Sequence, residues 1–149
     1  MAYTDTQPEA EAVPTVLYPN GHRLELLYNL SSFYLFNASP DRIRLSSIQF
    51  EALNENGQPV GYSFDGYRWS QFYSFVSDNG CARLEVAKMS NYLRPGKCRE
   101  YNSTITPPEN DPEHFWREQP GVIQFRVLWE DQEVARCPIP GDYCEVFVP

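Results

Sequence analysis

Apolar side chains recur at every second position in short runs along this chain, and each run is cut by a glycine, proline, asparagine or aspartate. A period of two places alternate residues on one face of an extended strand, so the pattern calls for many brief strands packed on one side. The clearest run is Val122–Trp129, where Ile123, Phe125, Val127 and Trp129 share a face and Gln124 and Arg126 take the other. Ala82–Met89 likewise sets Leu84 and Val86 against Arg83 and Glu85. In Ile43–Phe50 the apolar positions shift phase, from Ile43 and Leu45 to Ile48 and Phe50, which predicts a kink or bulge at Ser46-Ser47.

The punctuation between runs has its own chemistry. Asn54-Glu55-Asn56-Gly57 is a hairpin turn that returns Val60–Phe64 onto the preceding strand. Tyr18-Pro19-Asn20-Gly21, Asp65-Gly66, Asp78-Asn79-Gly80, Leu93-Arg94-Pro95-Gly96 and Glu130-Asp131-Gln132 are further turns or corners. Further strands are read at Leu24–Tyr28, Phe33–Asn37, Glu133–Cys137 and Cys144–Val148, and residues 102–120 as a long Pro- and acid-rich loop tacked down by His114-Phe115-Trp116. About eight or nine short strands without a convincing helix predict an all-β fold, an immunoglobulin-like antiparallel β-sandwich. Residues 1–15, polar and acidic, read as a flexible linker, and residues 16–149 as the sandwich domain.

Composition narrows the function. Twenty acidic residues against twelve basic ones give a net charge of −8, with no basic block to neutralise phosphates, which argues against a nucleic-acid partner. The chain has no apolar run long enough to span a bilayer. Cys81, Cys98, Cys137 and Cys144 form no C-x-x-C pair, and with only His22 and His114 a zinc site is poorly supported. Four cysteines allow three pairings, and Cys137 and Cys144 bracket a Pro-Ile-Pro-Gly turn across which a disulfide is sterically feasible. Disulfides place the protein in an oxidising, extracytoplasmic setting: secreted, at the cell surface or periplasmic.

The order of the pieces resembles the lamin-tail type of immunoglobulin-like domain. Phe33-Tyr34-Leu35-Phe36-Asn37-Ala38-Ser39 fits its apolar strand ending in an aromatic-Asn pair. Ile43-Arg44-Leu45-Ser46-Ser47-Ile48-Gln49-Phe50 fits the following strand, with Ser47 standing where the pattern has Gly, and Tyr92-Leu93-Arg94-Pro95-Gly96 fits its corner. The late hairpin Phe125-Arg126-Val127 and Val134-Ala135-Arg136-Cys137 is similar to those of β-rich accessory domains in multidomain bacterial surface proteins. This resemblance implies an interaction or targeting module with no shared catalytic residues, hence no enzyme and no cofactor.

Chemistry read from the residues agrees. His22 in a Gly-His-Arg turn and His114 in an acidic loop read as solvated side chains without a nucleophile to serve. Glu109, Asp111, Glu113, Glu130 and Asp131 read as ordinary loop and turn acidity, although Asn110, Asp111 and Glu113 offer hard oxygens that suit a weak calcium site. The strongest candidate is an aromatic cluster: Tyr62, Phe64, Tyr67, Trp69, Phe72, Tyr73 and Phe75 fall within fourteen residues. Tyr62 and Phe64 are assigned to the core by alternation. Tyr67, Trp69 and Tyr73 are expected to form an exposed platform with Arg68 adding a polar contact, suited to a protein or polysaccharide partner. The expected function is a non-catalytic accessory, adhesion or protein-interaction domain of a larger extracytoplasmic protein. The alternatives are a carbohydrate-binding module and a structural subunit that polymerises through its sheet edges. Asn29, Asn37 and Asn102 stand in N-x-S/T sequons, which mark glycans in a eukaryotic secreted chain and turns in a bacterial one.

Overall fold

A computed structural model of the chain describes residues 16–149. The segment read as a linker, 1–15, lies outside the described residues. Eleven strands follow in order: β1 His22–Tyr28, β2 Ser32–Asn37, β3 Ile43–Arg44, β4 Ile48–Leu53, β5 Pro59–Asp65, β6 Phe75–Val76, β7 Cys81–Glu85, β8 Tyr101–Ile105, β9 Gln124–Trp129, β10 Gln132–Pro138 and β11 Tyr143–Val148. A single-turn helix, α1 Tyr67–Ser70, sits between β5 and β6. No helix among the described residues is long and apolar enough to cross a membrane.

The strands form two main layers. One sheet has the order β11-β1-β2-β7-β8, the other β10-β9-β4-β5, and β3 pairs with β6 in a small ribbon. The layers meet through aromatic rings. Phe33 on β2 lies 5.1 Å from Phe50 on β4, and Tyr28 on β1 lies 5.5 Å from Phe125 on β9. Edge-to-face contacts of this kind add to what burial alone contributes. The all-β sandwich expected from period-two burial is therefore the observed architecture.

Local details follow from residue chemistry. The phase change in Ile43–Phe50 is a 3-10 turn over Leu45–Ser47, which rotates the backbone so that Leu45 and Ile48 both reach the core. The Asn54 side-chain oxygen accepts the N–H groups of Asn56 and Gln58, and Gly57 takes φ +74°, closing the β4–β5 hairpin. Glu130 and Asp131 both adopt left-handed φ between the paired residues Trp129 and Gln132, as a two-residue hairpin turn requires.

Three expectations are revised. Tyr101–Ile105 is a strand and not part of a loop, and it pairs parallel to β7, with Cys81 opposite Tyr101 and Leu84 opposite Ile105. A parallel neighbour needs a crossover, and residues 86–100 supply one. They run back over the outer face of the five-stranded sheet, where Arg94 pairs with Glu85 and Lys97 with Glu25. Ile123 does not join the buried face of β9; it is 48% exposed and Val122 is buried in its place. The turn closed by Val122 N–H to Gln119 C=O, with Gly121 at φ +81°, breaks the alternation before the strand begins at Gln124. Finally, two-residue β3 and β6 and the polar β8 raise the strand number above the eight or nine expected.

The cysteines pair as Cys81–Cys98 and Cys137–Cys144. The second is the bridge across the Pro-Ile-Pro-Gly turn, and it ties β10 of one sheet to β11 of the other. The first fastens the crossover segment to β7.

Candidate binding surface

The aromatic cluster is organised by one tight turn. The Asp65 carboxylate accepts the Tyr67 N–H at 2.9 Å, and Gly66 packs so closely that a Cβ there would sit 2.2 Å from the Leu45 carbonyl oxygen. Only glycine fits that approach. The chain then makes the single turn α1, and its 3.6-residue period replaces the strand period at this point. Trp69 consequently turns inward while its neighbours stay outside.

Trp69 is 0% exposed, which corrects its assignment to a surface platform. Its ring lies 4.7 Å from Phe64 and 6.1 Å from Phe50, and its indole N–H donates to the Arg83 carbonyl. Its own carbonyl accepts the Ser103 hydroxyl at 2.9 Å and the backbone N–H groups of Phe72 and Tyr73. The anchored tryptophan thus fixes a corner from which Tyr67, Phe72 and Tyr73 project, at 58%, 66% and 56% exposure. Of the expected platform Tyr67, Trp69 and Tyr73, the two tyrosines are exposed, and Phe72 takes the surface place expected of Trp69. Three large rings exposed within seven residues make this corner the candidate interaction surface.

Arg68 also lies at this corner but is already engaged. Its guanidinium bonds both Glu113 carboxylate oxygens, at 3.0 and 2.8 Å, linking α1 to the long loop. Burial raises the Glu113 carboxyl above the usual carboxylate range, with Arg68 opposing the shift. Asp111 accepts the Glu113 N–H through its side chain. Asp111 and Glu113 thus serve the loop and the Arg68 pair, and among the described residues no group of three or more His, Cys, Asp or Glu side chains is arranged to hold a metal ion.

Beside Glu113 the loop plunges inward. Phe115 stacks on Phe50 at 4.7 Å, and the Trp116 indole N–H donates to the Asn29 carbonyl. His114 is dragged in with them to 3% exposure, which corrects its reading as a solvated side chain. Its Nδ1 lies 3.3 Å from an Arg117 nitrogen, which can only donate, so the imidazole proton is assigned to Nε2. Nε2–H and the Arg117 Nε–H have no partner among the described residues. Burial, then the Arg117 charge, lowers the His114 pKa, so the ring is neutral at pH 7. His22 is far from this loop in sequence and bonds Asp41 at 3.0 Å.

The sheet edges are partly occupied. Ser63 on the edge strand β5 donates its N–H to the Pro112 carbonyl of the long loop, and Cys137–Cys144 closes one side of the sandwich. The sequon asparagines all serve in hydrogen bonding: Asn29 caps the Ser31 and Ser32 N–H groups, Asn102 accepts the Ser77 N–H, and Asn37 is fully buried.

Comparison of the chain with protein-family models, with curated proteins and with solved structures finds no match.

Proposed function

We propose that this chain is a non-catalytic accessory domain of a larger extracytoplasmic protein and that it works by binding a partner through the α1 corner. The observation that carries the reading is the division of labour around Trp69. One ring is spent on anchorage, and Tyr67, Phe72 and Tyr73 are held out in water by the turn it fixes. Displaying three large rings has an unfavourable hydration cost unless a partner covers them, and Tyr offers an apolar face with a polar tip at small entropic cost. The two disulfides support an oxidising compartment. Kinship with lamin-tail immunoglobulin-like domains belongs to the same proposal. It is supported by the buried Asn37 that closes β2 and by the turn at Leu45–Ser47 that follows.

The test is calorimetric titration of the domain against a panel of polysaccharides and candidate extracellular proteins, with Y67A/Y73A alongside. Binding that disappears in the double variant, at unchanged melting temperature, supports the assignment of the corner. A partner bound equally well by both proteins moves the site elsewhere.

A further inference from the structure

The α1 corner carries cations as well as rings. The β3–β6 ribbon places Arg44 opposite Phe75, and the Arg42 guanidinium carbon lies 4.2 Å from the Phe75 ring centroid, with that of Arg44 at 6.0 Å. Arg42 and Arg44 are two apart, on the same side of the extended chain. Ser74 joins this ribbon to the exposed rings, its carbonyl accepting the Leu45 N–H while Phe72 and Tyr73 precede it. Every ion pair among the described residues uses another cation, and no carboxylate of the described residues lies within 4.0 Å of the Arg42 or Arg44 guanidinium nitrogens. In a chain of net charge −8, two exposed guanidinium groups without a carboxylate partner among the described residues are open to an anionic ligand.

We propose that this corner binds a carboxylate-bearing polysaccharide, a polyuronate, with Arg42 and Arg44 pairing its carboxylates and Tyr67 and Tyr73 stacking on its sugar faces. The inference deepens the reading of the corner as the binding surface and depends on it. Three features favour this ligand. With a net charge of −8 the chain repels an acidic polymer in general, so binding one requires guanidinium groups free of carboxylate partners, which Arg42 and Arg44 supply beside the exposed rings. Guanidinium forks match carboxylates in geometry, and their stacking on Phe75 holds them in place before the ligand arrives. The main chain at the corner is already used, with the N–H groups of Leu45, Tyr67, Phe72 and Tyr73 all bonded within the fold. Peptides that add as strands rely on main-chain hydrogen bonds. What remains on offer is rings and guanidinium groups, which suit a pyranose with its apolar C–H face and its carboxylate.

The experiment is isothermal titration of the domain with polygalacturonate in calcium-free buffer, beside fully methyl-esterified polygalacturonate and poly-glutamate. The variants R42Q/R44Q and Y67A/Y73A are run in parallel, each checked for unchanged melting temperature. The expected result is saturable binding of the acid polymer that weakens with added salt. Each double variant should lose about tenfold or more in affinity, as removal of charged hydrogen bonds implies. Equal binding of the esterified polymer, or full affinity in R42Q/R44Q, overturns the proposal while leaving the aromatic corner as a site for neutral sugars. Tighter binding of poly-glutamate overturns it in favour of an acidic peptide. No binding of polygalacturonate overturns it, and the polysaccharide and protein panel then decides separately whether the corner binds anything.

Discussion

The Trp69 indole N–H donates to the Arg83 backbone carbonyl at 2.9 Å, joining the one-turn helix α1 to the middle of strand β7. The bond satisfies the only polar group of a ring that is otherwise packed against Phe33, Phe50 and Phe64. The corner that displays Tyr67, Phe72 and Tyr73 therefore draws its rigidity from the core.

Replacing Trp69 by Ala removes a fully buried ring and its hydrogen bond. The expected cost is about 3–5 kcal/mol, since truncating a buried large aromatic leaves a cavity as well as losing transfer energy. Trp69→Phe keeps most of the packing and should cost clearly less. Urea unfolding measures both. A loss below about 1 kcal/mol for Trp69→Ala, typical of an exposed ring, would contradict the burial described.

How far this was legible in the sequence depends on the range of the signal. The strands within Val122–Trp129 and Ala82–Met89 were readable because alternation is written into consecutive residues, although the first begins only at Gln124 and the second ends at Glu85. The Leu45–Ser47 kink was readable as a phase shift, and the Asn54–Gly57 turn as local chemistry. The inward turn of Trp69 was not, because the reading of Tyr67, Trp69 and Tyr73 as one exposed platform took no account of a helical turn after Asp65-Gly66. The only local hint is Asp65-Gly66 ahead of it. Strand β8 was hidden for another reason: Tyr-Asn-Ser-Thr-Ile is polar, and it becomes a strand only because the crossover 86–100 delivers it beside β7. His114 was misread as solvated because its burial is decided by Phe115 and Trp116, whose targets lie on β2, β4, β9 and the β1–β2 turn.

The crossover 86–100 is held by one disulfide, by the ion pairs Arg94–Glu85, Lys97–Glu25 and Arg99–Asp78, and by hydrogen bonds such as Leu93 N–H to the Ser32 hydroxyl. Cys81–Cys98 closes a span of 17 residues, and Lys88, Asn91 and Arg94 within it take left-handed φ, which L-residues adopt only at a cost. C81A/C98A is expected to lower stability by about 3 kcal/mol, as loop closure of this length implies. Amide exchange should accelerate first in residues 88–100. Protection in that segment equal to wild type would mean that its ion pairs and hydrogen bonds suffice to hold it without the disulfide.

His114 should make the protein less stable as pH falls. Its folded pKa is below the ordinary imidazole value of about 6.5, chiefly through burial and secondly through Arg117. The unfolded chain therefore binds more protons than the folded one, and stability drops as pH falls from about 6.5 toward the folded value. Glu113, whose pKa is raised, acts with the opposite sign at the upper edge of the carboxylate range. Glu25 loses its contribution at lower pH still. Burial acts to raise its carboxyl, but Lys97 and Arg23 hold it below the usual carboxylate range. Melting temperatures of wild type and His114→Gln between pH 7 and 5 isolate the imidazole: the wild type should fall more steeply. An NMR titration placing the His114 pKa at or above its ordinary value would remove the effect.

Asn37 tests whether the sequons are sites of modification or parts of the fold. Its side chain is 0% exposed, and its amide nitrogen donates to the carbonyls of Asp41 at 2.7 Å and Val76 at 3.1 Å. Its oxygen accepts the backbone N–H and the hydroxyl of Ser39. Both ends of the amide are thus consumed at the point where β2 ends and the chain turns toward β3. Asn37→Asp removes the donor and sets a carboxylate against two carbonyl oxygens, so a loss of about 3 kcal/mol or more is expected from an unpaired buried charge. A glycan on the same nitrogen replaces one of its two N–H groups, so at least one of these bonds is lost, and the buried site has no room for a sugar. When the chain is secreted from eukaryotic cells, the folded, monodisperse fraction should carry unmodified Asn37 by peptide mass spectrometry. Stoichiometric glycan at Asn37 in protein with wild-type melting temperature would show that this amide is not the buried link between β2 and β6 that its hydrogen bonds describe.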